Sequence, residues 1–194
     1  MRILTAMKHL QLTIFPVFLL MSGCGAEVDV HQAAADGDVT VVKKKLDAGM
    51  DLHHRDELYQ LTLLHDASQF GQMEVAELLI SRGADLNAKD KVGATPLHYA
   101  ALGGSKETAK LLIVEGVDMN TENDEGETAL HQAAHGGHKE VAELLIAKGA
   151  DLNAKSYGET PLDLAIRLGQ TETAELLRKH GGKTGAELKA EEKK

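Results

Sequence analysis

The chain has 194 residues, with 21 Lys and Arg against 30 Asp and Glu, giving a net charge of −9 with histidine neutral. That length suits one ordinary domain, yet aromatic residues make up only 3 % and tryptophan is absent, which is too little bulk for a globular core of this size. The acidic balance repels nucleic acid and anionic headgroups.

Residues 1–23 differ in kind from the rest. Arg2 and Lys8 are their only Lys or Arg, they hold no acid, and Leu10 to Met21 is apolar except for Gln11, Thr13 and Pro16. This apolar run is shorter than the roughly 20 residues a spanning helix needs. A basic start, a short apolar run and the small pair Ser22-Gly23 read as an export signal. The run ends at Cys24, the sole cysteine. Leu20-Met21-Ser22-Gly23-Cys24 resembles a bacterial lipoprotein processing box, with Met21 where Leu is usual. The resemblance implies that 1–23 is a signal peptide, that Cys24 is lipidated, and that 24–27 is a short linker. Gly25 in place of Asp then implies the outer membrane, facing the periplasm. A plain secretory signal with an incidental cysteine would instead leave the protein secreted or periplasmic. Lipidation also removes the lone thiol, so no disulfide is expected and stability must come from packing. Without the leader the chain carries 19 Lys and Arg against 30 acids, a net charge of −11.

From residue 28 onward the chain repeats itself. Copy one, about 28–54, is blurred, and its Lys43-Lys44-Lys45 reads as the solvated face of a terminal repeat. Copy two, about 55–87, holds TLLHDAS and EVAELLI after a longer connection, with Gln60 where later copies have Gly. Copy three, 88–120, holds TPLHYAA and ETAKLLI, and Pro96 suits a first helical turn.

Copy four, 121–154, is the clearest. A first helix runs from the N-cap Thr128 to Gly136-Gly137. A second, Lys139 to Lys148, carries Val141, Leu144 and Leu145 on one face and stops at Gly149. Copy five, 155–182, has a shorter hairpin, Asp163 in place of the recurrent His, and a polar stripe of Glu172, Glu175, Arg178 and Lys179 suited to a terminal cap. Thr62, Thr95, Thr128 and Thr160 open the copies 33, 33 and 32 residues apart. Helix pairs this short cannot bury their apolar faces alone, so the copies must stack. Residues 183–194 are expected to be a charged, flexible tail.

The pattern G-x-T-P-L-H-x-A-A-x-x-G-H-x-E-V-x-x-L-L-x-x-G-A-D-x-N resembles the ankyrin repeat. The resemblance implies an all-α solenoid of five repeats, each a helix-turn-helix with a β-hairpin loop. It also implies a monomeric, non-catalytic protein that binds a partner through the concave surface formed by hairpin tips and first helices. The family's variable positions fall here on Leu58, Tyr59, Leu61, Gln69 and Phe70, then Lys91, Val92, Ala94, Leu102 and Gly103. They continue with Asp124, Glu125, Glu127, His135 and Gly136, then Ser156, Tyr157, Glu159, Arg167 and Leu168. Tyr59, Leu61, Phe70, Val92 and Leu102 would form an apolar patch, with Asp124, Glu125, Glu127 and Glu159 as an acidic flank. Phe70 and Leu102 could equally fold inward. Such a row suits a protein partner of basic character.

Histidines invite a metal reading. His131, His135 and His138 would share a face of one continuous helix, but Gly136-Gly137 breaks it. His65, His98 and His131 recur once per copy, as structural residues do. No phosphate loop or nucleophile elbow occurs, and no cofactor is expected. An enzyme or metal protein using the His135 region, or a self-associating envelope spacer, are the competing readings.

Overall fold

The computed structural model describes residues 29–193, so the leader, Cys24 and the linker lie outside it. Five helix pairs follow one another: α1 (Val30–Asp36) with α2 (Val39–Asp47), α3 (Leu63–Gln69) with α4 (Met73–Ser81), α5 (Pro96–Leu102) with α6 (Lys106–Val114), α7 (Ala129–Gly136) with α8 (Lys139–Ala147), and α9 (Pro161–Arg167) with α10 (Thr171–Lys179). An eleventh helix, α11, spans Gly185–Glu191. Each first helix packs on the first helices before and after it, and each second helix does the same, which makes an all-helical repeat solenoid.

Each layer of the core is thin and built alike. First helices bury Leu64, Leu97, Leu130 and Leu162 with one or two alanines each, and second helices bury Val75, Ala76 and Leu79 or their counterparts Val141, Ala142 and Leu145. Small side chains let the layers approach closely, which accounts for the scarcity of aromatics.

The recurrent Thr and His have one shared job. In α3, α5 and α7 the Thr N-cap and the His at the third helical position form a capping box. The backbone N–H groups of Thr62, Thr95 and Thr128 donate to Nδ1 of His65, His98 and His131 at 3.0, 3.1 and 3.1 Å. A backbone N–H can only donate, so Nδ1 is an acceptor and Nε2 carries the proton. Nε2 then donates forward to the next layer, to the carbonyls of Ala94, Glu127 and Glu159 at 3.2, 2.9 and 3.4 Å. The residue before each second helix reaches back. Gln72, Ser105, His138 and Gln170 donate to the carbonyls of Ala35, Gln69, Leu102 and His135. Two latches thus join each pair of neighbours from the second layer to the fifth, one pointing each way along the chain, and the backward one alone joins the first layer to the second.

Two expectations change. The hairpin loops form no β-ladder: among the described residues only isolated bridges occur, Arg55 with Thr62 and Ser156 with Glu159. Side chains close these loops instead, as described below. The C-terminal tail is a helix rather than a flexible end. Gly181 leads to Thr184 directly, without the hairpin of earlier copies, and Thr184 with Glu187 forms another capping box. Here Asp163 stands where the His latch would be. It accepts the Gly185 N–H at 2.7 Å, while Thr160 Oγ1 donates to the Lys183 carbonyl at 2.7 Å. Lys183 precedes Thr184 as Ala94, Glu127 and Glu159 precede their N-caps, so the start of α11 takes the place of the next layer's latch, although only Gly185 of this helix is buried. Gly185 must be glycine, because a Cβ there would overlap the Gly158 carbonyl. Arg178 adds an ion pair to Glu187 at 2.6 Å.

Candidate functional site

Hairpin tips and the ends of the first helices carry the residues singled out from sequence. A single side chain organises each of the first three tips, and backbone bonds between Ser156 and Glu159 close the last. Asp56 accepts the N–H groups of Leu58 and Tyr59, Asp90 those of Val92 and Ala94, and Asn123 those of Glu125 and Glu127. The turn needs a left-handed residue, and Gly93 and Gly126 supply it at φ 75° and 77°. Gln60 takes that place in the second layer at φ 61°, held by its own Nε2 on the Asp56 carbonyl and by Arg55 on its own carbonyl. The last tip is a tight two-residue turn, Tyr157-Gly158, both at positive φ.

Neighbouring tips are stitched together. Lys91 N donates to the Tyr59 carbonyl at 2.9 Å, Asp124 N to the Val92 carbonyl at 3.0 Å, and Ser156 Oγ to the Glu125 carbonyl at 2.7 Å. Tyr59, Val92, Glu125 and Tyr157 therefore stand in file along one edge.

Exposure separates the candidates. Leu58 is 70 % exposed, Tyr59 45 %, Phe70 48 %, Val92 37 % and Tyr157 85 %. Leu61, Leu102 and His135 are half-buried. The acids divide into two sets. Glu127 accepts from Gln132 at 2.7 Å and Asn123 at 3.3 Å, and burial pushes its carboxyl above the usual range. Glu159 receives Arg167 at both oxygens, at 3.1 and 2.9 Å. These two acids, with Arg167, are committed within the chain. Asp124 is exposed and Glu125 half-buried at the tip, which leaves them as the acidic pair presented outward.

Sequence reasoning passed over the residue following each recurrent His. Asp66, Tyr99 and Gln132 occupy it, and each reaches outward to another element. Tyr99 donates to Asp90 Oδ2 at 2.8 Å and packs edge-on against the His65 ring, so burial and that carboxylate both push its hydroxyl up. Asp66 meets His31 at 2.7 Å. Their variability at a fixed place in the repeat was the available signal.

His131, His135 and His138 do not converge. His131 is buried in its latch, while His138 bridges to Leu102 on the preceding layer. Among the described residues no group of three or more His, Cys, Asp or Glu is placed to hold a metal.

A family model described as ankyrin repeats, three copies, matches residues 30–122 and again 102–190. The chain belongs to the ankyrin-repeat family. It is similar to cyclin-dependent kinase 4 inhibitor B of Bos taurus, 34 % identical over 39 % of this chain and 56 % of that protein. It is also similar to human protein phosphatase 1 regulatory subunit 27, 39 % identical over 34 % of this chain and 43 % of that one. A serine/threonine-protein kinase 12 of Arabidopsis thaliana is 37 % identical over 37 % of this chain, but over only 16 % of the kinase. The chain thus spans between 16 % and 56 % of these relatives, and the similarity is one of ankyrin repeats.

Proposed function

We propose that this ankyrin-repeat protein is a non-catalytic binding module that holds a partner protein against its concave edge while a lipid at Cys24 tethers it to the bacterial envelope. The observation that carries the binding reading is the outward exposure of Tyr59 and Val92 on stitched tips and of Phe70 at the end of α3, with Asp124 and Glu125 on the neighbouring tip. Apolar side chains held outward by a braced backbone lose little entropy on binding, and acids at their flank favour a basic partner. An inhibitor and a regulatory subunit among the relatives support a protein-interaction role.

The test is recovery of envelope proteins on immobilised wild type and on a Tyr59→Ala/Phe70→Ala/Glu125→Lys variant. At least one partner is expected to fall by tenfold or more, that is by about 1.4 kcal/mol or more. Equal recovery of every partner rules out the concave edge.

Tethering rests on the sequence Leu20 to Cys24; among the described residues no helix is long and apolar enough to cross a membrane. Wild type is expected in the membrane fraction with an acyl mass on Cys24, and Cys24→Ala in the soluble fraction. A Cys24→Ala variant that still sediments with membranes, beside a wild type with no acyl mass, refutes the lipid anchor.

A further inference from the structure

His31 is the first-layer counterpart of His65, His98 and His131, six residues before Gly37 as they are before Gly71, Gly104 and Gly137. It does not do their work. Helix α1 begins one residue later in the repeat, with Asp29 as N-cap accepting from the His31 N–H at 2.9 Å. The ring is thereby released from the backbone box, and its Nδ1 meets Asp66 Oδ2 of α3 at 2.7 Å.

This junction is part-buried, with the two side chains 15 % and 12 % exposed. His31 Nε2 is buried and has no hydrogen-bond partner. The His54 ring lies 5.4 Å away, centroid to centroid. The groups around the imidazole are thus Asp29 from its own helix, His54 and Asp56 from the following loop, and Asp66 from α3. Three carboxylates surround one imidazole. The later histidines instead point Nδ1 at a backbone N–H, which a ring proton would oppose.

We propose that the His31–Asp66 pair is a pH-operated clasp, charged and closed in mildly acidic solution and weakened in alkaline solution, so that α1 and α2 open from the rest of the solenoid as pH rises. When His31 loses its proton, the ion pair becomes a neutral ring beside a buried carboxylate, and the junction keeps the desolvation cost of Asp66 without its counter-charge. The titration has the matching sense. Burial opposes charge on His31, but the hydrogen bond and charge of Asp66, with Asp29 and Asp56 behind it, outweigh burial and hold the imidazole above its usual 6.5. Burial pushes Asp66 up, and His31 draws it partly back. A histidine raised in the fold stabilises below 6.5 and ceases to do so as pH climbs through its raised value. A terminal helix pair, packed on one side only, is the part of a solenoid that opens at least cost. The clasp is independent of whether the concave edge binds a partner.

The test is hydrogen exchange of the full chain between pH 5.5 and 8.5, corrected for the intrinsic pH dependence of amide exchange. Protection of residues 30–47 is expected to fall by severalfold or more relative to residues 139–147 as pH rises. His31→Gln is expected to leave 30–47 weakly protected at every pH, with no slope. A pH-independent wild type, or a slope that survives in His31→Gln, overturns the clasp. Should that variant fail to fold, the NMR titration of His31 in the wild type decides: a midpoint above 6.5 supports the proposal and one below it refutes it.

Discussion

Between pH 7 and pH 4.5 the protein is expected to lose about 5 kcal/mol of stability through two imidazoles alone. His65 and His131 are fully buried, with Nδ1 accepting a backbone N–H and Nε2 donating to the next layer. A second ring proton has no acceptor and faces a donor. Burial first, only partly offset by the carbonyl acceptors, pulls both down to about 4. A histidine lowered in the fold contributes stability that is full above 6.5 and is lost as pH falls towards its folded value. Each then gives up about 2–3 kcal/mol by pH 4.5. His98 is lowered by the same cause and adds to the loss.

Other groups do not cancel this. Asp163 is slightly buried, yet the N–H groups of Thr160 and Gly185 hold it low, and Arg178 with Thr184 holds Glu187 at about 2, so both act at more acid pH. Glu127 and Asp66, raised mainly by burial, and His31, held up by Asp66 against its burial, work in the opposite sense but do not share the three-fold repetition of the His latch. Urea denaturation followed by circular dichroism at pH 7, 6, 5 and 4.5 measures the loss. A His65→Gln/His131→Gln variant is expected to be weaker at pH 7 but much flatter with pH. An unchanged slope in that variant would show that the latches are not the acid-sensitive element.

The architecture was legible because the repeated residues serve the backbone. Thr, His and Gly act on groups three residues away or in the next copy, and such jobs recur at a fixed period, so they show as a pattern. What the variable residues do was less legible. Glu127 and Glu159 look like free acids along the chain, yet each is satisfied by a side chain at a different offset, Gln132 in one layer and Arg167 in the other. Tyr99 finds Asp90 nine residues back in its own layer and Asp66 finds His31 in the layer before, pairings that the other copies do not repeat. The tail reads as flexible because its composition is polar, although Thr184 and Glu187 stand at capping-box spacing and Asp163 is a latch residue adapted to receive an N–H. His31 shows the converse failure. Its spacing marks it as one more structural histidine, and only a shift of the helix start by one residue turns it to another use.

Gly103→Ala is expected to cost about 3 kcal/mol, although the repeat gives no warning of it. The same place in the other four layers holds Asp36, Phe70, Gly136 and Leu168, so three of the four carry a Cβ there. Gly103 has ordinary backbone angles, φ −81° and ψ −6°, and conformational freedom is not the issue. The constraint is close approach, because a Cβ would overlap the Gln69 carbonyl at the end of α3. That carbonyl cannot swing aside freely, since it accepts the Ser105 hydroxyl at 3.0 Å and so forms the backward latch of this layer. Relief requires α3 and α5 to separate, which strains the packing of Leu64 and Ala67 against Leu97 and Ala101, all of them buried. Gly116→Ala is the control, because nothing lies within 4 Å of its Cβ and only the left-handed φ of 93° opposes the change, a cost of about 1–2 kcal/mol. Thermal melts of the two variants beside wild type should rank Gly103→Ala well below Gly116→Ala. The reverse order would mean that the third layer relaxes around the new methyl, and that the latch from Ser105 is slack.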